Sequence, residues 1–159
     1  MDWRNVIAVA GAALALVLAI AGCGGSGDAA VVTGTISKAQ FLKKAIPVCK
    51  LGVNEITNHY GQWERAHTVN GRRPPEAARD RALDRIALEA HEKQLEGLKE
   101  ISLPREGEVE FVPRLYEAWE EGIENGENDP KSMQESTGFA FSGAYSMSVD
   151  HGLGDCWLG

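Results

Sequence analysis

From Phe41 to Trp63 the apolar positions recur every three or four residues: Phe41, Leu42, Ala45, Val48, Cys49, Gly52, Val53, Ile56, Tyr60 and Trp63. That is the period of one helix face. Its start is marked by "ISKAQF", where Ser37 is an N-cap and Gln40, three residues on, completes a capping box. Ile36 before the cap and Phe41 at the fourth helical position make a hydrophobic staple. Pro47 interrupts the stripe. Proline removes a helix hydrogen bond and crowds the preceding turn, so a kink or short break is expected near Ala45. A second face follows "GRRPPEAARDRAL", whose prolines suit a first helical turn, and comprises Leu83, Ile86, Ala87, Ala90, Gln94, Leu98 and Ile101 before "SLPREG" ends it. A third helix is predicted from about Glu108 to Asn125 on Val112, Leu115, Tyr116, Trp119 and Ile123, with Pro113 in its first turns and "NGENDP" as its stop. Asp129-Pro130 opens a weaker fourth segment. A short turn is expected near 130–135 and a helix from about 138 to 150, ended by Gly152. No stretch alternates as a strand does. The prediction is an all-α fold, a small antiparallel bundle of about four helices.

The pattern at the front of the chain is different. Val6 to Ala21 is 16 residues without a charge. A spanning helix needs about 20, whereas the apolar core of a secretory signal runs about 7–15 and is followed by small residues. Asp2 opposes Arg4 in "MDWRN", so the positive start of a signal is weak. At the end of the apolar run stands "IAGC", Ile20-Ala21-Gly22-Cys23, which resembles the lipobox of bacterial lipoproteins. The resemblance implies a diacylglyceryl group on the Cys23 thiol and cleavage before it, so that Cys23 becomes the first mature residue. Two acyl chains are enough for stable anchoring. "GGSGDAA" then begins a flexible stretch, and the 12 residues from Gly24 to Thr35 would reach about 20 Å as a random coil. The expected organisation is a signal peptide at 1–22, a tether at 23–35 and a helical domain at 36–159, lipid-anchored on the outer face of the cell membrane.

Composition narrows the partners. The net charge of −7 argues against nucleic acid, whose binders carry a basic face. Charge is also segregated: Lys38–Lys99 holds 12 basic and 8 acidic residues (+4), whereas Glu100–Asp129 holds 2 basic and 10 acidic (−8). The two segments are expected to lie side by side, with surface pairs contributing only about 0–1 kcal/mol each. With Cys23 committed to lipid, Cys49 and Cys156 have one possible pairing. In an oxidising compartment a bridge is the default, the alternative being two reduced, buried thiols.

Beyond the lipobox, "TISKAQFLKKAIPVCK", "EKQLEGLKEISLPREGE", "EEGIENGENDP" and "HGLGDCWLG" are together similar to a group of small secreted or lipoprotein-like actinobacterial proteins. The resemblance covers nearly all of the mature chain. It implies a helical fold, export and a Cys49–Cys156 bridge, and carries no activity with it. Pro47 and His151 depart from the group's usual pattern.

Candidate chemistry is sparse. His59, His67, His91 and His151 form no metal-ligand spacing. "ERAH", Glu64 to His67, is one copy of a Glu-x-x-His pair where a di-iron bundle needs two, so these histidines read as surface residues and no metal or cofactor is expected. Glu117, Glu120, Glu121 and Glu124 share a helix face and read as its solvated side, although neighbouring carboxylates also serve acid/base chemistry. Arg72, Arg73, Arg79, Arg81 and Arg85, interleaved with Asp80 and Asp84, read as an exposed mixed-charge helix. No nucleophile motif, P-loop or dinucleotide glycine pattern is present, so no catalytic residue is assigned. The leading expectation is a non-catalytic module contacting an envelope protein, polymer or lipid surface. The alternative is a small-ligand carrier with an inter-helix cleft lined by Tyr60, Trp63 and Trp119.

Overall fold

The computed structural model describes residues 34–105, 109–133 and 139–157. The expected signal peptide, the Cys23 expected to carry lipid and the expected tether up to residue 33 lie outside the described residues. The rest is all-α, a four-helix bundle without a β-sheet among the described residues: α1 Lys38–His67, α2 Glu76–Lys99, α3 Phe111–Asn128 and α4 Ser142–Asp150. Single 3-10 turns at Pro130–Met133 and Gly154–Cys156 flank α4. No described helix is long and apolar enough to cross a membrane.

α1 begins as its sequence dictates. The Gln40 amide donates to Ser37 Oγ at 3.2 Å, and the Ser37 amide donates to Gln40 Oε1 at 2.9 Å, closing the capping box. Ile36 and Phe41 both join the main core. The expected break at Pro47 does not occur: α1 runs through it for 30 residues, about 45 Å at 1.5 Å per residue. Pro47 and Lys43 both face solvent, so water can satisfy the Lys43 carbonyl that proline leaves without a donor, while buried Ala45 and Cys49 hold the flanking turns against the core.

α1 and α2 are antiparallel. Val48 packs on Gly97 and Gly52 on Gln94, and Glu64 pairs with Arg73. The turn between them has Asn70 at φ 50° and Gly71 at φ 73°, with Val69 and Arg72 exchanging backbone hydrogen bonds of 3.1 and 2.9 Å. Two consecutive positive φ values define a type I′ geometry, which Asn-Gly favours. α3 returns along α2: Tyr116 Oη donates to the Leu98 carbonyl at 2.7 Å, and Lys99 pairs with Glu120. That exposed pair is where the basic and acidic segments meet.

Boundaries moved in two places. α3 starts at Phe111 rather than near Glu108, and it continues through Gly126 to Asn128. Gly126 stays helical because it is a contact point: a Cβ there would lie 2.8 Å from Met133 Sδ and 3.1 Å from Leu88 Cδ1. α4 starts at Ser142 and runs to Asp150, as expected at that end, with Gly152, φ 86°, just past its cap. The Gly152 amide donates to Val149 O at 3.2 Å and the Leu153 amide to Ser148 O at 2.8 Å, the two bonds of a Schellman motif.

The main core joins Phe41, Ala45 and Cys49 of α1 to Leu95 and Leu98 of α2, Leu115 and Trp119 of α3, and Phe141, Leu153 and Trp157 near the C-terminus. A second cluster, Ile56 with Ile86, Ala87 and Ala90, lies further along the α1–α2 pair. Thr35, at the end of the expected tether, is already tied down. Its amide donates to Leu103 O at 2.9 Å, and the Arg105 amide donates to Ile36 O at 2.7 Å.

Candidate functional site

Cys49 and Cys156 are joined by a disulfide. Gln94 is the polar group at the same junction. It is buried, and its Nε2 donates to Cys49 O at 2.8 Å and to Cys156 O at 3.2 Å. One amide thus ties α2 to α1 and to the C-terminal turn. The crossing is possible because residue 52 is glycine: a Cβ there would lie 2.2 Å from Gln94 Cγ.

With both amide protons donated, Gln94 Oε1 is an acceptor. His91 Nδ1 lies 2.7 Å from it, so Nδ1 carries the ring proton and Nε2 is the ring's acceptor. His91 corrects the expectation of surface histidines. It is buried, and burial lowers its pKa from 6.5 to about 4, with the Gln94 bond opposing. The imidazole is therefore neutral near pH 7. Its ring lies among Phe141, Trp157 and Trp119, with centroids at 4.6, 5.0 and 5.9 Å. His151 is half-buried and stacked on Phe111, whereas His59 and His67 are exposed.

His91 also lines a cavity of about 250 Å³ between α2, α4 and the C-terminal turn. Leu83, Asp84 and Ala87 continue its α2 wall, and Met133, Phe139, Tyr145 and Trp157 complete it. Trp157 is buried, and its Nε1 has no hydrogen-bond partner. A buried donor left unmade costs about 1–3 kcal/mol, so the indole takes this position at a cost to the fold. Trp119 Nε1 is also buried without a partner, but Trp119 is not in the wall. A larger hollow, about 550 Å³, lies between α3 and α4, with Glu121, Asn125 and Asp129 in its lining. It is more polar and contains no buried titratable group.

The aromatic residues expected to share a cleft are separated. Trp119 is fully buried in the main core. Tyr60 and Trp63 are half-buried against the second cluster, 6.2 Å apart and stacked, with His67 continuing the row at 4.5 Å from Trp63. None of the three lines the Asp84–His91 cavity. Glu117, Glu120, Glu121 and Glu124 all stand on the exposed side of α3. Arg72, Arg73, Arg81 and Arg85 are exposed and Arg79 is half-buried. Glu64 accepts from Arg73 Nε at 2.7 Å and His67 Nδ1 lies 2.8 Å from Trp63 O, so "ERAH" is committed to the helix surface. No group of three or more metal-ligating side chains occurs among the described residues.

The chain matches no protein-family model, no characterised protein and no solved structure significantly.

Proposed function

We propose that this protein is a lipid-anchored, non-catalytic binding module held at the outer face of the cell membrane through Cys23, whose partner is an envelope protein or polymer. The observation that carries the reading is the Cys49–Cys156 disulfide in a chain whose only other cysteine stands in the lipobox-like "IAGC". Disulfides persist where thiols are not kept reduced, and export through a lipoprotein signal delivers a chain to such a place. Thr35 and Ile36 are bonded to the α2–α3 connection, so the tether would join the domain at the end where α1 begins. Intact-mass measurement of membrane-extracted protein tests this. Loss of residues 1–22 with a diacylglyceryl mass on Cys23 is the expected result. Native protein beginning at Met1, or with a free thiol at position 23, would overturn it.

A second reading, a carrier of a small ligand, is favoured by the cavity of about 250 Å³ with its buried His91 and Trp157. It differs from the expected cleft in its residues: the α2 side chains Asp84 and His91 and the C-terminal Trp157 take the place of Tyr60, Trp63 and Trp119.

A further inference from the structure

The first half of α1 carries one sign of charge. Between Asp28 and Glu55 the chain has four lysines and no acidic residue. Phe41, Ala45, Cys49 and Ile56 turn one side of the helix to the core. Lys43, Lys44, Lys50 and Leu51 are exposed on the other side, within an arc of about 120° at 3.6 residues per turn. Leu51 is 62 % exposed, an apolar side chain set among the lysines. Neighbouring acids offset this face only in part. Asp155 lies 3.5 Å from Lys50, and Glu96 and Glu100 are exposed at the end of α2. Lys43 and Lys44 have no ion pair among the described residues. The main core joins α1 to α3, so the acidic side of α3, with Glu117, Glu121 and Glu124 exposed, is turned away from the lysines.

We propose that this face of α1 docks on the anionic phospholipid headgroups of the membrane that anchors the chain, so that α1 lies along the bilayer and the acidic side of α3 faces away from it. The proposal rests on the lipid-anchor reading above and adds an orientation of the domain. Two features select a lipid surface as the occupant. The first is where the preceding chain enters. Thr35 and Ile36 are bonded to Leu103 and Arg105, so the point of attachment adjoins the first turn of α1. A tether of 12 residues, about 20 Å as a coil, makes docking intramolecular, and the effective concentration lets a weak contact suffice. A free acidic protein would meet the same lysines without that linkage. The second feature is the chemistry. Lysines around an exposed apolar side chain suit a helix face resting at an anionic interface, where each lysine contributes about fivefold to the docking constant.

The test places ¹⁵N-labelled protein, expressed from the full chain and extracted from membranes, in lipid nanodiscs with gadolinium-chelate headgroups, and reads the broadening of backbone amide signals by NMR. In discs containing phosphatidylglycerol, the amides of Lys43, Lys44 and Leu51 should broaden more than those of Glu120, Glu121 and Glu124. The difference should vanish in phosphatidylcholine discs, and in about 1 M salt, where the Debye length is about 3 Å. Lys43→Gln/Lys44→Gln should lower the ratio of docked to undocked protein about 25-fold with an unchanged circular dichroism spectrum, whereas Lys43→Arg/Lys44→Arg should keep it. Equal broadening of the two helix faces in phosphatidylglycerol discs would overturn the proposal. So would shifts of the α1 amides that grow with protein concentration in phosphatidylcholine, which would give this face to the acidic α3 of a second copy. The intact mass of the same sample judges the anchor separately. An unmodified Cys23 overturns the anchor reading, and the comparison of the two faces still decides the docking surface.

Discussion

His91 shows how far a single residue's environment departs from its sequence signal. The positions flanking it, Ala87, Ala90, Gln94 and Leu98, were all legible as a buried stripe, and residue 91 falls within that same arc. By sequence it reads as a surface residue, because histidine on a charged helix usually is one. Its burial depends on a partner that periodicity does not supply, the Gln94 carboxamide oxygen. The consequence is a pH dependence of stability. The folded pKa, about 4, lies below the ordinary 6.5, so the unfolded chain binds the proton more readily. Stability from this group is complete above about pH 6.5, declines as pH falls and is lost below about pH 4, a span of about 3 kcal/mol at roughly 1.4 kcal/mol per unit. Urea unfolding of the wild type and of His91→Gln at pH 7.5, 6, 5 and 4 checks this. The wild type should lose stability faster than the variant between pH 6 and 4, and parallel profiles would remove His91 as the cause. The Tyr116 phenol is pushed upward by burial and stays protonated throughout that range.

Helices α1 to α3 were legible because each carries an apolar stripe with period 3.6 and α1 also has its cap. What the sequence obscured were the places where tertiary contact overrides a local rule. Gly126 reads as a helix stop, yet α3 passes through it because Met133 and Leu88 occupy the space a side chain would need. Pro47 reads as a break, yet α1 is continuous because Ala45, Cys49 and Gly52 are all buried and hold the helix to its neighbours. The proline still lacks an amide proton, and an interior proline is disfavoured by about 3 kcal/mol against alanine. Since residue 47 is exposed, Pro47→Ala should stabilise the protein by about 1–3 kcal/mol. A rise in thermal midpoint with unchanged helical content would be seen by circular dichroism. A fall would mean that the ring shapes α1 in a way the core requires.

At the scale of the whole molecule, fold class and cysteine pairing could be read from the sequence, but the cavity could not. Its wall draws on α2, the 3-10 turn, Phe139, α4 and the residue after Cys156, five places with no shared periodicity. Trp157 directly follows the residue at which the chain is pinned. The disulfide joins residues 107 apart, and the Gln94 bonds to both cysteine carbonyls make the junction covalent and polar together. Loss of a native bridge from a small domain typically costs about 2–5 kcal/mol. In Cys49→Ala/Cys156→Ala, or after reduction, stability should fall by about that amount. The core around Trp119, Trp157 and His91 should loosen first, because the segment after α4 has no other covalent hold on α1. A red shift of tryptophan emission ahead of the loss of helical signal during urea unfolding would show that order. Coincident transitions would instead make the bridge a stabiliser of the whole bundle, with no special hold on the C-terminal turn.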